Sequence, residues 1–203
     1  MKLSFIFFRF MYVSKGNLRM DIPTFSLPAI FTCPNSTNMC RRFCYAKKAE
    51  RFIQVKKSRL SNVIDTVLDD FIDKMVDTIR KRNTKYFRIH ESGDFYNQEY
   101  LDKWIKIARR LPNVTFLAYT QMYHLDYSKK PDNLIIYWSV WPDSKNVPSE
   151  GLFAYVIDNG KGRLPKNQYI INGKECIKGV NGLKCNNCMY CYKGKGNVIF
   201  KLH

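Results

Sequence analysis

Between Leu60 and Ile79 the apolar residues Leu60, Val63, Ile64, Val67, Leu68, Phe71, Ile72, Met75, Val76 and Ile79 recur at spacings of three and four. That is the repeat of a helix carrying one apolar stripe, and it predicts a long amphipathic helix capped at Ser61. The chain turns helical earlier, from Arg41. Lys85 to His90 is a short run of aromatic and β-branched residues ending in the polar turn Glu91, Ser92, Gly93, Asp94, which reads as a strand and its exit. A second helix follows, with Tyr100, Leu101, Trp104, Ile105 and Ala108 on its apolar face and Leu111 and Pro112 at its end. Val114 to Thr120, Leu134 to Val140 and Leu152 to Ile157 are further strands. Upstream, Gly16 and Asn17 mark a turn, and Thr24 to Thr32 is an extended segment bent by Pro23 and Pro28.

Strands alternating with helices imply βα units and therefore a parallel sheet. A complete eight-unit barrel takes about 250 residues, more than the 203 present. The expected fold is therefore α/β, a partial (β/α) barrel over residues 1–171. From Asn172 the Gly, Lys, Asn and Cys content rises and periodicity disappears, so residues 172–203 are expected to form a small Cys-rich, metal-binding appendage. Met1 to Tyr12 is rich in Phe but interrupted by Lys2 and Arg9 and has no small-residue cleavage site; it reads as an edge strand or an extension preceding the fold rather than a signal peptide. No stretch approaches the roughly 18 apolar residues of a membrane span, so a soluble, cytoplasmic protein is expected.

Charge changes this picture. Thirty-four Lys and Arg stand against seventeen Asp and Glu, a formal net charge of +17. Such a field attracts phosphate polymers and other acidic partners, so nucleic acid or a nucleotide is a candidate partner, with a merely solvated basic surface as the plain alternative.

The seven cysteines carry the candidate chemistry. Their odd number and close spacing argue against a disulfide framework and for metal ligation. Cys33, Cys40 and Cys44 lie on the loop between the extended segment and the first helical stretch. Three thiolates hold three corners of a [4Fe-4S] cube and leave one iron open to a small molecule; buried, inert thiols are the plain alternative. Cys185, Cys188 and Cys191 repeat a two-residue gap, with Cys176 available as a fourth ligand. Four thiolates complete a closed site, either a second cluster or a structural zinc.

The turn Glu91, Ser92, Gly93, Asp94 leaves a strand beside the cysteine loop, and its carboxylates and backbone could hold the ammonium group of an amino-acid-like ligand. A helix-capping turn, with Asp94 or Asn97 bonding the next helix, is the alternative. His90 is either a proton donor or simply packed. Thr120, Gln121, Ser139 and Asp143 end later strands and are weaker candidates for the same pocket.

Phe25-Ser26-Leu27-Pro28-Ala29, Thr32-Cys33-Pro34, Cys44-Tyr45-Ala46-Lys47, and Arg88-Ile89-His90 with Ser92-Gly93-Asp94-Phe95 together resemble the phage-associated gene product 88 family. The likeness runs from about Gly16 to the C-terminus. That family looks like a divergent relative of radical S-adenosylmethionine enzymes, which implies a partial (β/α) barrel, a cluster on three cysteines and, for a phage product, the host cytoplasm. Enzymes of that superfamily space these cysteines by three and then two residues, with an aromatic before the last. Here the gaps are six and three residues, with Phe43 before Cys44.

The resulting expectation is an iron-sulfur enzyme in which Cys33, Cys40 and Cys44 hold a [4Fe-4S] cluster that binds S-adenosylmethionine, with Glu91, Ser92, Gly93 and Asp94 on the cofactor. An electron donor would reduce the cluster, the sulfonium would be cleaved, and a substrate, nucleic acid or nucleotide, would lose hydrogen. Tyr45, Tyr119 and Tyr123 are available near such a site. The rival expectation is a nonenzymatic nucleic-acid-binding module in which both Cys groups are structural and Lys47, Lys48, Arg51, Lys56, Lys57 and Arg59 meet phosphate.

Overall fold

In the computed structural model, which describes residues 11–17, 20–166, 168–169, 171–176 and 183–202, the strands form one eight-stranded sheet. Chain order is β1 (Val13–Ser14), β2 (Thr24–Phe25), α1 (Asn38–Arg42), α2 (Tyr45–Ala49), α3 (Ile53–Val67), α4 (Phe71–Lys81), β3 (Tyr86–Ile89), α5 (Gln98–Arg110), β4 (Thr115–Thr120), β5 (Leu134–Val140), β6 (Leu152–Ile157), β7 (Lys174–Glu175), α6 (Cys185–Cys188) and β8 (Val198–Lys201), with a 3-10 turn at Cys191–Lys193. Spatial order is β1-β2-β3-β4-β5-β6-β8-β7. Only β1 runs antiparallel to its neighbour; every other pair is parallel. The α/β class therefore holds, and no pairing joins the two outer strands among the described residues. The edge strand expected within Met1 to Tyr12 falls mostly outside the described residues. None of the described helices is long and apolar enough to cross a membrane.

Side-chain alternation divides the sheet into two faces. Phe87 and Ile89 of β3 point with Phe116 and Ala118 of β4 and Leu134 and Ile136 of β5 toward α4 and α5. Helix α4 buries Phe71, Met75, Val76 and Ile79, and α5 buries Tyr100, Leu101, Trp104 and Ile105. Trp104 is the hub, with the rings of Phe25, Phe71, Phe87 and Phe116 centred 5.8 to 6.3 Å away. Burying such a side chain stabilises the fold by about 2–3 kcal/mol. The opposite face carries Leu117, Tyr137, Ala154 and Val198 and is covered by Met189 and Tyr192 of the tail. The tail past residue 172 thus contributes β7 and β8 to the same sheet and packs on it.

The long helix expected over Leu60–Ile79 is two helices. The chain leaves helical geometry at Leu68 (ψ 149°) and re-enters at Phe71. Ser61 lies inside α3 rather than at its start, and α3 begins after Phe52 with no side-chain cap bond. The apolar face of α3 is also turned the other way: Arg59, Asn62, Asp65 and Thr66 are buried, while Leu60, Ile64 and Val67 are exposed. The cause is what α3 packs on. Its inner side meets chain backbone, which needs hydrogen-bonding partners. Asn62 Nδ2 donates to Tyr12 O (3.0 Å) and Ser26 O (2.9 Å), and its Oδ1 accepts from Tyr12 N (3.1 Å).

Candidate functional site: two groups of thiols on one parallel sheet

The loop leaving β2 carries Cys33, Cys40 and Cys44, and the exits of three other strands hold it in place. Leu27 N donates to Ser92 O (2.8 Å) and Asp94 N to Thr32 O (3.1 Å), which ties the loop to the turn after β3. Thr37 N donates to Gln121 Oε1 (3.2 Å), and Asn35 Nδ2 bonds Gln121 O, which ties it to the end of β4. Met39 N donates to Asp143 Oδ2 (2.9 Å), beyond the end of β5. Locally, Thr37 Oγ1 accepts from Cys40 N (3.1 Å) to start α1, and Cys44 Sγ accepts from Lys47 N (3.4 Å) to start α2. These are N-cap bonds, so two of the three thiols sit at the first turns of short helices.

The three thiols are neighbours. Burial pushes the Cys33 and Cys40 thiols up to about 12; Asp94 adds to this at both, Cys40 and Cys44 at Cys33, and Cys44 and Asp143 at Cys40. Ionising such a group without a nearby cation is costly, so at neutral pH the uncompensated sulfurs stay protonated. All seven cysteines are free of disulfides.

The turn after β3 is tightly built. Gly93 has φ +90°, and a Cβ there would lie 2.6 Å from Leu27 Cβ and 2.7 Å from Thr32 Oγ1, so only glycine lets the loop and the turn meet. Asp94 is buried and accepts from Thr120 Oγ1 (2.6 Å), Gln121 N (2.9 Å) and its own neighbour Phe95 N (2.7 Å). Burial nevertheless outweighs these bonds and raises its carboxyl to about 6. Glu91 Oε1 accepts from Asn17 Nδ2 at 2.5 Å, and its carbonyl accepts from Tyr45 Oη (2.8 Å). Ser92 Oγ is buried with no hydrogen-bond partner. The cap on α5 comes from Asn97, whose Oδ1 accepts from Tyr100 N (2.9 Å). His90 points into the helix-side core, edge-on to Phe95 and tilted against Tyr100, with Nε2 2.8 Å from Tyr100 Oη.

Beside the thiol loop opens a polar cleft of about 700 Å³, lined by Asn35, Thr37, Tyr123, His124, Asp143 and Lys145. Asp143 Oδ1 is buried with no hydrogen-bond partner. Ser139 takes no side-chain part; its carbonyl accepts from Tyr123 Oη.

The second group of thiols lies on the sheet face opposite α4 and α5. Cys176, Cys185, Cys188 and Cys191 all line one cavity of about 70 Å³, together with Arg88 and Tyr119. Cys176 N donates to Ile199 O (2.8 Å), which fixes this residue to β8. Cys185 and Cys188 sit one helical turn apart in α6, and Met189 (φ 53°) reverses the chain toward Cys191. Burial pushes the Cys191 thiol up to about 11, opposed by a hydrogen bond with Tyr119; Cys176, then Cys185, raise it further and Arg88 lowers it. Among the described residues, no three His, Cys, Asp or Glu side chains stand as a ready-made ligand set for one metal ion. Each group of sulfurs shares a neighbourhood rather than a point.

Arg88 is a functional candidate that spacing alone did not single out, whereas Gln121 was expected there as a weaker candidate for the pocket. The Arg88 guanidinium lies 4.0 Å over the Tyr119 ring, its Nε donates to His90 O (3.0 Å), and its charge acts on both Tyr45, beside Cys44, and Cys191. A cation at an inward position of an otherwise apolar strand was the available signal. Gln121 binds the thiol loop through both its side chain and its carbonyl.

Residues 11–194 match the family model described as Gene product 88. The chain is 31% identical over 195 residues to the "Gene 88 protein" of Mycobacterium phage L5, covering 84% of this chain and 82% of the relative. It is 28% identical over 196 residues to the "Gene 88 protein" of Mycobacterium phage D29, with the same coverage. No solved structure matches.

Proposed function

This chain belongs to the gene product 88 family, and we propose that it is an iron-sulfur protein and a divergent radical S-adenosylmethionine enzyme. The observation that carries the reading is the clustering of Cys33, Cys40 and Cys44, three mutually interacting thiols at the exits of parallel strands. Their donor set fits a [4Fe-4S] cluster: three sulfurs, no disulfide, and, at Cys33 and Cys40, protons that a bound cation would displace. Cys33, Cys40 and Cys44 would hold such a cluster, which would supply one-electron chemistry to a small-molecule ligand bound beside the loop.

The chain's own residues do the rest. Gln121 and Asp143 hold the thiol loop in register, and Gly93 lets the loop pack against the turn of Glu91, Ser92 and Asp94. The polar cleft beside the loop, lined by Asn35, Thr37, Tyr123, His124 and Lys145, takes the cofactor's or substrate's polar groups. The sheet is read as the wall of a partial (β/α) barrel. Cys176, Cys185, Cys188 and Cys191 fit a second, closed centre, a cluster or zinc.

A second reading is a nonenzymatic nucleic-acid-binding module with zinc in place of iron; the exposed cations around the thiol loop favour it. Iron, sulfide and zinc analysis of anaerobically purified protein separates the two. The enzyme reading expects brown protein, a spectral change on adding S-adenosylmethionine, and 5′-deoxyadenosine on reduction. It also expects Cys40→Ala to lose one centre and Cys188→Ala the other. Colourless protein with stoichiometric zinc overturns it.

A further inference from the structure

The thiol loop is surrounded by a surface that neither group of cysteines explains. From Arg41 to Arg51 the side chains of Arg41, Arg42, Lys47, Lys48 and Arg51 are all exposed, and Lys56 and Lys57 continue the series on the first two turns of α3. Among the described residues none of these makes an ion pair. The single acid in this stretch, Glu50, is turned inward: its Oε1 accepts from Ala29 N (2.7 Å) and pairs with Arg59 (3.2 Å). Arg59 is itself buried, with Nη1 donating to Ala46 O (2.8 Å). Arg59 is therefore a structural cation, correcting its expected role as a phosphate contact.

Among these charges stand three exposed rings: Phe31 (78% exposed), Phe52 (56%) and Tyr45 (53%). The Ala29–Glu50 bond brings the loop that carries Phe31 against the junction of α2 and α3 that carries Phe52, each ring two residues from that bond. The Arg51 guanidinium lies 4.9 Å from the Phe52 ring centre. Leaving such rings in water is unfavourable unless a partner covers them, and the flat partner that tolerates a dense field of cations is a nucleobase on a phosphate backbone.

We propose that this surface binds single-stranded nucleic acid, with phosphates on the Arg41–Lys57 cations and bases stacked on Phe31 and Phe52. A duplex keeps its bases stacked inside and offers these rings nothing. Phe31 is two residues from Cys33 and Tyr45 adjoins Cys44, so a bound strand passes over the thiol loop. The inference stands whether those thiols hold a cluster or zinc, because it rests on exposed cations and rings outside the ligand set.

The test is fluorescence anisotropy of as-purified protein with labelled dT20, rU20 and a 20-base-pair duplex from 50 to 200 mM salt. With about five phosphates neutralised, single-strand affinity falls about 100-fold across that range. Phe31→Ala/Phe52→Ala weakens dT20 and rU20 binding at least 10-fold, keeps the salt slope, and leaves duplex binding unchanged. Lys47→Glu/Lys48→Glu weakens all probes and flattens the slope. Lys129→Glu/Lys130→Glu, on exposed residues beside the end of α5, leaves binding as it was. Comparison of dT20 with rU20 tells DNA from RNA. Circular dichroism of each variant checks the fold. Equal loss from the Lys47/Lys48 and Lys129/Lys130 variants would show a diffuse basic surface and overturn the proposal, as would absence of binding at 50 mM salt or indifference of single strands to the ring variant.

Discussion

His90 should make the fold sensitive to mild acid. Its ring is buried (2% exposed), bonded through Nε2 to Tyr100 Oη, and packed against Phe95. Burial and, secondarily, the nearby Arg88 charge push its pKa from the ordinary 6.5 down to about 3. Between those values the unfolded chain takes up a proton that the folded chain refuses. Stability is thus complete above the unfolded value and falls as pH drops toward the folded one, by about 1.4 kcal/mol per pH unit. From pH 6.5 to pH 5 this one ring withdraws about 2 kcal/mol, a large share of a typical domain's stability. Asparagine is the replacement of choice, because His90 has φ +62° and asparagine tolerates that backbone. At pH 7 His90→Asn costs about 2 kcal/mol through the lost bond and packing. On acidification the variant loses less than the parent, so the gap between them closes by about 2 kcal/mol by pH 5. Urea unfolding at pH 7, 6 and 5 measures it. Curves that keep a constant separation over that range would refute the reasoning.

Asp94 should behave with the opposite sign. Its carboxyl is raised from 3.8 to about 6, so the folded chain holds the extra proton and stability falls as pH rises through that interval. The parent's stability relative to Asp94→Asn should therefore drop by about 2 kcal/mol between pH 4 and pH 6, measured by the same titrated unfolding. Asn62→Ala removes three hydrogen bonds to backbone inside α3's packing and should cost about 2–4 kcal/mol in urea unfolding, whereas Leu60→Ser, at a residue 46% exposed on the same helix, should shift stability by less than about 0.5 kcal/mol.

The central strands were legible because hydrophobic alternation and turn residues act locally. Leu134–Val140 and Leu152–Ile157 match in both bounds, and the ends of Lys85–His90 and Val114–Thr120 differ by one residue. Helix α5 was legible for the same reason, its period agreeing with its packing. In α3 the period was right and the face was wrong, because periodicity reports a stripe but not what lies opposite it; Tyr12 and Ser26 backbone is invisible to a pattern of apolar residues. Strand β8 was missed because Val198, Ile199 and Phe200 are too few to show alternation and follow a run of Gly, Lys and Asn. At the candidate site, spacing grouped the cysteines. The ties through Gln121 and Asp143, and the placement of Arg88 between Tyr45 and Cys191, depend on which strands are neighbours.

The position of β8 bears on how the molecule is made. Strand β8 follows both β6 and β7 in the chain yet settles between them, so until β8 has been made β6 presents a bare row of amides and carbonyls, the kind of margin on which nascent chains stick to one another. The quartet of sulfurs emerges after β3 and β4, which supply Arg88 and Tyr119 to its cavity, but before β8, which supplies Val198 and Phe200. A chain without β8 would thus carry an unsealed border and a Cys176 robbed of the strand that anchors it.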